Sequence, residues 1–293
     1  MNRSQRARLC LDGLSVGDGF GQRFFFPWVV EQTVNRNMPE GPWEYTDDTE
    51  MALAVVQVLE SYGAIDQDAL ATEFARRYAA DSGRGYGAGA HRLLKDIADG
   101  TDWRTASREL FDGRGSYGNG AAMRVAPIGA WFADDLETTK QQARLSAEVT
   151  HSHHEGQVVA IAVALATHWA VNKPGSLEEL LPWIVSNLED SEVTAGIAKA
   201  AEIPLDAWAF DAANTLGCGD QVTAQDTVPF CMWMSAATMD DFAEAMWTTA
   251  RIGGDIDTNC AIVGGIVSAA RNEPLPTEWV SKREPLNWGP PLN

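Results

Sequence analysis

The chain is short of cysteine, of basic residues and of long apolar runs, and each shortage argues against something. Four cysteines, Cys10, Cys218, Cys231 and Cys260, are scattered over 293 residues without a C-x-x-C pair. That spacing speaks against a disulfide framework or a structural zinc site and fits a reducing compartment. Lysine and arginine number 22 against 41 aspartates and glutamates, a formal net charge of -19. Such a field repels polyanions, so non-specific binding to nucleic acid or to an anionic membrane is not expected. No apolar run is long enough to cross a bilayer. The basic start Met1-Asn2-Arg3-Ser4-Gln5-Arg6 gives way to Gly-rich sequence interrupted by Asp12 and Asp18, without the continuous apolar core of a signal peptide. The expected location is the cytoplasm.

Two further absences set the fold class. Runs of Val, Ile, Thr and Tyr at period two are missing, as is any Ser/Pro-rich linker or internal repeat. Helical periodicity recurs instead: Met51, Val55, Val58, Leu59 and Tyr62 share one face of an amphipathic helix. Leu70, Phe74 and Tyr78 do the same after Asp66, a candidate N-cap. Ser152-His153-His154-Glu155 has a capping-box pattern ahead of Val158, Ile161, Ala162, Leu165 and Trp169. Further helices are expected around 88–99, 137–149, 176–188, 192–203, 206–215, 239–251 and 258–271. At 45% hydrophobic and 22% charged residues, the chain has the balance of a globular protein with a sizeable core. The expectation is one all-α domain over residues 1–293, with functional loops at helix ends. Residues 14–44, rich in Gly and aromatics and poor in periodicity, read as a lid or binding loop. The Pro-rich tail from Asn272 is expected to run extended on the surface, with Trp279 and Trp288 as anchors.

What the chain does have is two acidic motifs far apart. Tyr45-Thr46-Asp47-Asp48-Thr49 and Gly253-Gly254-Asp255-Ile256-Asp257-Thr258 each run into a helix. Capping accounts for either one alone, since Asp and Thr complement free N–H groups at helix starts, and Asp47 with Glu50 has a capping look. Two motifs, each with paired carboxylates and a threonine, point to hard divalent cations such as Mg²⁺, because adjacent carboxylates repel unless a cation sits between them. Gly253-Gly254 permits a close backbone approach that capping does not require.

The segment Gly113-Arg114-Gly115-Ser116-Tyr117-Gly118-Asn119-Gly120 leads toward a helix, where glycine-rich backbone can offer N–H groups to a phosphate. It is neither a Walker A loop nor a Rossmann fingerprint, and a plain turn fits it as well; Arg84 to Gly89 has the same character. His151, His153 and His154 lack the spacing of a zinc site. His151 is the candidate ligand contact, His153 and His154 are expected at the surface, and His91 and His168 read as structural.

Together these segments resemble the ADP-ribosylglycohydrolase family across most of the chain and in order. Gly13 to Gly21 is similar to its N-terminal Gly-Asp loop, Thr46-Asp47-Asp48-Thr49 to its first metal motif, Phe111 to Arg124 to its phosphate and adenosine loop, and Gly254 to Thr258 to its second metal motif. The resemblance implies an orthogonal all-α bundle with a cleft holding two Mg²⁺ (or Mn²⁺) ions. It implies that Thr46, Asp47, Asp48, Asp255, Asp257 and Thr258 hold the metals, with Asp47, Asp48, Asp255 and Asp257 catalytic. It implies that Phe111, Gly115, Ser116, Tyr117, Gly118, Asn119 and His151 line the ligand, with Phe111 and Tyr117 as candidates to stack on adenine. The implied partners are ADP-ribose and ADP-ribosylated protein. Relatives commonly carry a glutamate shortly after the Gly-Asp loop; here the stretch reads Gln22-Arg23-Phe24-Phe25-Phe26, and Glu31, Glu40 and Glu44 are the nearest acids.

The activity so implied is cleavage of the glycosidic bond from ADP-ribose to a protein arginine or serine. The missing glutamate motivates a rival, a non-catalytic ADP-ribose binder of immunity type. A two-metal phosphohydrolase acting on the diphosphate is a third reading.

Overall fold

A computed structural model describes residues 1–25 and 30–292, without the side chain of Val30; Phe26 of the stretch discussed above lies outside them. Among the described residues the structure is helical, with two isolated bridges, Trp43–Arg283 and Gly118–Thr223, in place of strands. The helices are α1 (Arg3–Gly21), α2 (Val30–Asn35), α3 (Asp47–Tyr62), α4 (Gln67–Ala80), α5 (Ala88–Ala98), α6 (Trp103–Gly113), α7 (Ala126–Trp131) and α8 (Leu136–Glu148). They continue with α9 (His154–Asn172), α10 (Leu177–Ser186), α11 (Glu192–Ala201), α12 (Ala209–Leu216), α13 (Ala224–Ala237), α14 (Phe242–Ile252), α15 (Ile256–Ala269) and α16 (Thr277–Val280).

All the helices expected from periodicity are present. Asp66 caps α4, its side chain accepting from Ala69 N. Other expectations are corrected. The cap of α3 is Thr46, whose side chain accepts from Asp48 N, while Glu50 bonds Arg77. The cap of α9 is His153, accepting from Glu155 N, while the Ser152 hydroxyl donates to the Ser107 carbonyl. Residues 14–21 belong to α1, which runs unbroken through the glycines. The regular part of α6 ends before Leu110, and Phe111 and Asp112 have φ of 52° and 61°.

The glycines of α1 explain why that segment is a helix. It packs more extensively on α15 than on any other element. A Cβ on Gly13 would meet the Gly264 carbonyl at 2.4 Å, on Gly17 the Cys260 carbonyl at 2.1 Å, and on Gly21 the Ile256 carbonyl at 2.6 Å. These positions recur every four residues, one face of a helix, and their partners descend along α15, so the two helices are antiparallel with backbones nearly touching. The end of α1 bearing Asp18 therefore meets the start of α15 bearing Asp257.

Helices α3, α9 and α15 are buried almost all round. The expected amphipathic face of α3 is thus only part of it: Met51, Val55, Val58 and Leu59 are buried, but so are Ala52, Leu53, Ala54 and Val56, and Tyr62 is exposed. The chain after α16 runs without regular structure but does not lie loosely on the surface. Buried Arg77 donates to the carbonyls of Asn287 and Trp288, to Glu50 and to Gln57. The Arg8 guanidinium stacks 4.6 Å from the Trp288 ring. Trp279 joins Phe20, Trp43, Phe242 and Trp247 in an aromatic cluster beside the end of α1.

Candidate active site

The helix ends converge on a cavity of about 580 Å³. Its walls include Asp47, Asp48, Asp255, Asp257 and Thr258, the chain from Ser116 to Gly120, His151 and Phe111. The two acidic motifs, 208 positions apart counting from Asp47 to Asp255, are thus brought together with the glycine-rich segment.

Asp18 organises the first motif, a role that no sequence signal assigned to it. Its carboxylate is fully buried and accepts four groups: Thr46 N (2.9 Å), Thr46 Oγ1 (2.9 Å), Thr49 N (3.1 Å) and Thr49 Oγ1 (2.5 Å). The Asp47 amide in turn donates to the Arg84 carbonyl. The Arg84 guanidinium bonds the Tyr45 carbonyl and Glu284, and Glu284 accepts from Tyr45 N. The turn carrying Asp47 and Asp48 is therefore held by α1 behind it and by the C-terminal segment beside it. Thr46, expected as a ligand, gives its hydroxyl proton to Asp18 and does not line the cavity.

The second motif is fixed by glycine. Gly254 has φ +69°, and a Cβ there would stand 2.0 Å from the Cys218 carbonyl, so no side chain fits. Asp255 N then donates to that same carbonyl. Asn119 ties the glycine-rich segment to this motif through Nδ2, which donates to Asp255 Oδ2 (2.7 Å) and Thr227 Oγ1 (3.1 Å). Asn119 thus positions a carboxylate as well as lining the cavity.

The glycine-rich segment is pinned to the chain before α13: Ala224 N donates to the Tyr117 carbonyl and Asn119 N to that of Val222. Ser116, Tyr117 and Gly118 line the cavity, and Gly115 does not; it abuts Ser152 and His153. The Tyr117 ring meets His153 edge-on at 5.3 Å, and Phe111 is 48% exposed at the cavity wall facing Gly89. Glu31, Glu40 and Glu44 are exposed and none lines the cavity. Gln22 and Arg23 are likewise exposed, and Phe24 is buried.

The electrostatics follow from crowding. Burial pushes the Asp18 carboxyl up to about 6, with its hydrogen bonds pulling the other way. Burial and then the charges of Asp18 and Asp255 push Asp47 up to about 7. Asp48 and Asp257 are raised well above the ordinary range by burial and by the neighbouring carboxylates. One oxygen, Asp48 Oδ2, is buried without a hydrogen-bond partner among the described residues. An unpartnered carboxylate oxygen among like charges is costly unless a cation meets it, so the donor set fits a hard divalent ion. Among the described residues, no three Asp, Glu, His or Cys side chains close on one point as a protein cage. Mg²⁺ does not need one, because it keeps several waters and takes only one or two carboxylates.

The ADP-ribosylglycohydrolase profile matches residues 1–289. The human ADP-ribosylhydrolase ARH3 is 31% identical over 94% of this chain and 88% of its own length. The chain belongs to the ADP-ribosylglycohydrolase family. The family is one of hydrolases acting on ADP-ribose linkages, and the resemblance read from the motifs holds over the whole chain. ADP-ribosylhydrolase ARH3 of Danio rerio is 28% identical over 82% of this chain and 73% of its own. A solved structure titled an ADP-ribosylglycohydrolase-related protein complex superposes with a TM-score of 0.67 at 24% identity, covering 97% of this chain and 93% of that one. It establishes the shared all-α fold.

Proposed function

We propose that the chain, acting as one domain over residues 1–293, hydrolyses the glycosidic bond between C1″ of the distal ribose of ADP-ribose and a protein arginine or serine side chain. The observation that carries this is the meeting of both acidic motifs and the glycine-rich segment in one cavity, in a member of this family. Thr46, Asp47, Asp48, Asp255, Asp257 and Thr258 would hold Mg²⁺, with Mn²⁺ as a substitute and two ions as the expected number; the Thr46 hydroxyl, whose proton goes to Asp18, offers its oxygen. When bound, the metal supplies charge for gripping ribose hydroxyls and lowers the pKa of a bound water.

The chain's own residues do the rest. Asp18 and Asn119 hold the two carboxylate motifs in register. The Ser116 to Gly120 segment, through backbone N–H groups other than those of Gly118 and Asn119, which bond Ser116 Oγ and the Val222 carbonyl, and the His151 ring face the anionic diphosphate despite the acidic surface, and Phe111 or Tyr117 stacks on adenine. In the reaction the C1″ bond to the acceptor breaks through an oxocarbenium-like state. Water forms the new C1″–O bond, one proton passes to the departing acceptor, and an aspartate of the motifs takes part as base. The four free cysteines fit a reducing, cytoplasmic setting.

The test is release of free ADP-ribose from ADP-ribosyl-arginine and ADP-ribosyl-serine peptides, with Mg²⁺ or with EDTA. Metal-dependent release from one linkage is expected, and Asp47→Ala or Asp257→Ala should lower it at least a hundredfold, about 2.7 kcal/mol of transition-state stabilisation. Turnover near wild type in both variants removes the metal-centre reading. Tight ADP-ribose binding without release from any linkage would show a binding protein instead, and AMP among the products a phosphohydrolase.

A further inference from the structure

We propose that Arg124 and Thr150 are positioning residues that lock His151 as its Nε2–H tautomer, so that it serves the cavity as a hydrogen-bond donor and never as a proton-accepting base. The argument rests on which groups are able to donate. Arg124 is fully buried, and a guanidinium has donors only. Its Nη1 donates to the Gly120 carbonyl at 2.8 Å, and its Nη2 to the Ser146 carbonyl at 3.0 Å and to Thr150 Oγ1 at 2.7 Å. The other partner of the Thr150 hydroxyl is His151 Nδ1 at 2.6 Å. The hydroxyl keeps a second lone pair after accepting from Arg124, but its own proton has no other acceptor among the described residues, so in this buried setting it is turned toward Nδ1. That nitrogen is then the acceptor, and the ring proton sits on Nε2.

The rest of the ring's surroundings agree. A Cβ at Gly156 would meet the His151 Cβ at 2.9 Å, so the base of the side chain is packed tightly from behind. A Cβ at Gly120 would lie 3.4 Å from Nε2, and one at Gly118 3.6 Å; the two glycines leave the Nε2 edge uncovered where the wall meets the cavity. No acidic side chain bonds the ring among the described residues. Burial, then the Arg124 charge, lower the imidazole to about 3, which keeps it neutral at working pH. A neutral N–H facing the cavity selects an acceptor oxygen on the ligand, a phosphate or hydroxyl oxygen; this last step rests on the ADP-ribose reading above, and the tautomer does not.

The experiment is long-range ¹H–¹⁵N spectroscopy of histidine-labelled full chain without ligand, with His151 assigned by loss of its signals in His151→Asn. The wild-type ring is expected to show the Nε2–H pattern unchanged from pH 5 to 8. Thr150→Val should mix the tautomers or let the ring titrate, and weaken ADP-ribose binding about tenfold by calorimetry. Thr150→Ser should restore both. A wild-type ring that is Nδ1–H, or imidazolium at pH 7, overturns the relay whatever the ligand affinity. An Nε2–H ring in a protein that does not bind ADP-ribose upholds the relay and overturns the functional reading instead.

Discussion

At the residue scale, the site depends on a carboxylate that has no open face. Asp18 receives four donors from Thr46 and Thr49, and it fixes the turn from which Asp47 and Asp48 project. Thr49→Val keeps the shape of the side chain and removes one donor to a buried charge. A hydrogen bond to a charged group is worth about 1.5–3 kcal/mol, so unfolding in urea should show a loss of that size. A change within about 0.5 kcal/mol, the scatter of an indifferent substitution, would mean that the Asp18 contacts do not hold the turn. The motif was plain in the sequence because Thr-Asp-Asp-Thr is an uncommon run of like charge. Arg124 and Thr150 were not legible as a pair, since a single arginine and a single threonine 26 positions apart carry no pattern.

At the element scale, the contact between α1 and α15 sets the distance between the motifs. Gly→Ala within a helix ordinarily stabilises it by about 0.5–1 kcal/mol. At Gly17 the added Cβ would stand 2.1 Å from the Cys260 carbonyl, and that atom is backbone in a packed helix. Gly17→Ala should therefore have the opposite sign, a loss of about 1–3 kcal/mol, measurable by thermal or denaturant unfolding. It should also weaken Mg²⁺ binding in calorimetry by moving Asp257 away from Asp18. A stabilised variant would show that the helices are not in backbone contact. Periodicity and capping patterns revealed half-buried helices such as α4 and also the buried α3, α9 and α15, and missed α1, α2, α6 and α13. Helix α1 is rich in glycine and α13 contains Pro229, the two residue types that argue most strongly against a helix in a sequence.

At the scale of the whole molecule, the fold gathers negative charge that the unfolded chain keeps apart. Asp18 and Asp47 are raised from 3.8 to about 6 and about 7. Groups raised in the folded state bind protons more tightly there, so their contribution to stability is fully present below about pH 4 and is lost as pH rises through 6 and 7. In EDTA the melting temperature should fall between pH 5 and pH 8. Saturating Mg²⁺, which binds the ionised form of the folded state, should raise it more at pH 8 than at pH 5. A metal effect that is equal at both values, or larger at pH 5, would place the ion away from these carboxylates. The C-terminal segment belongs to this scale too: Glu284 and Arg84 link it to Tyr45, so the last residues of the chain brace a turn near its beginning.

The sequence by itself determined the helical class, the two acidic motifs and the family, because periodicity, local charge and short motifs are properties of neighbouring residues. Only the tertiary structure decided that the Gly-Asp segment is a helix, that Thr46 serves Asp18, that Gly115 packs away from the cavity and that Asn119 grips Asp255. The physical reason is the same in each case. Burial and hydrogen-bond partners come from residues tens or hundreds of positions away, and a polar side chain in a dry interior takes whichever partner the packing brings to it.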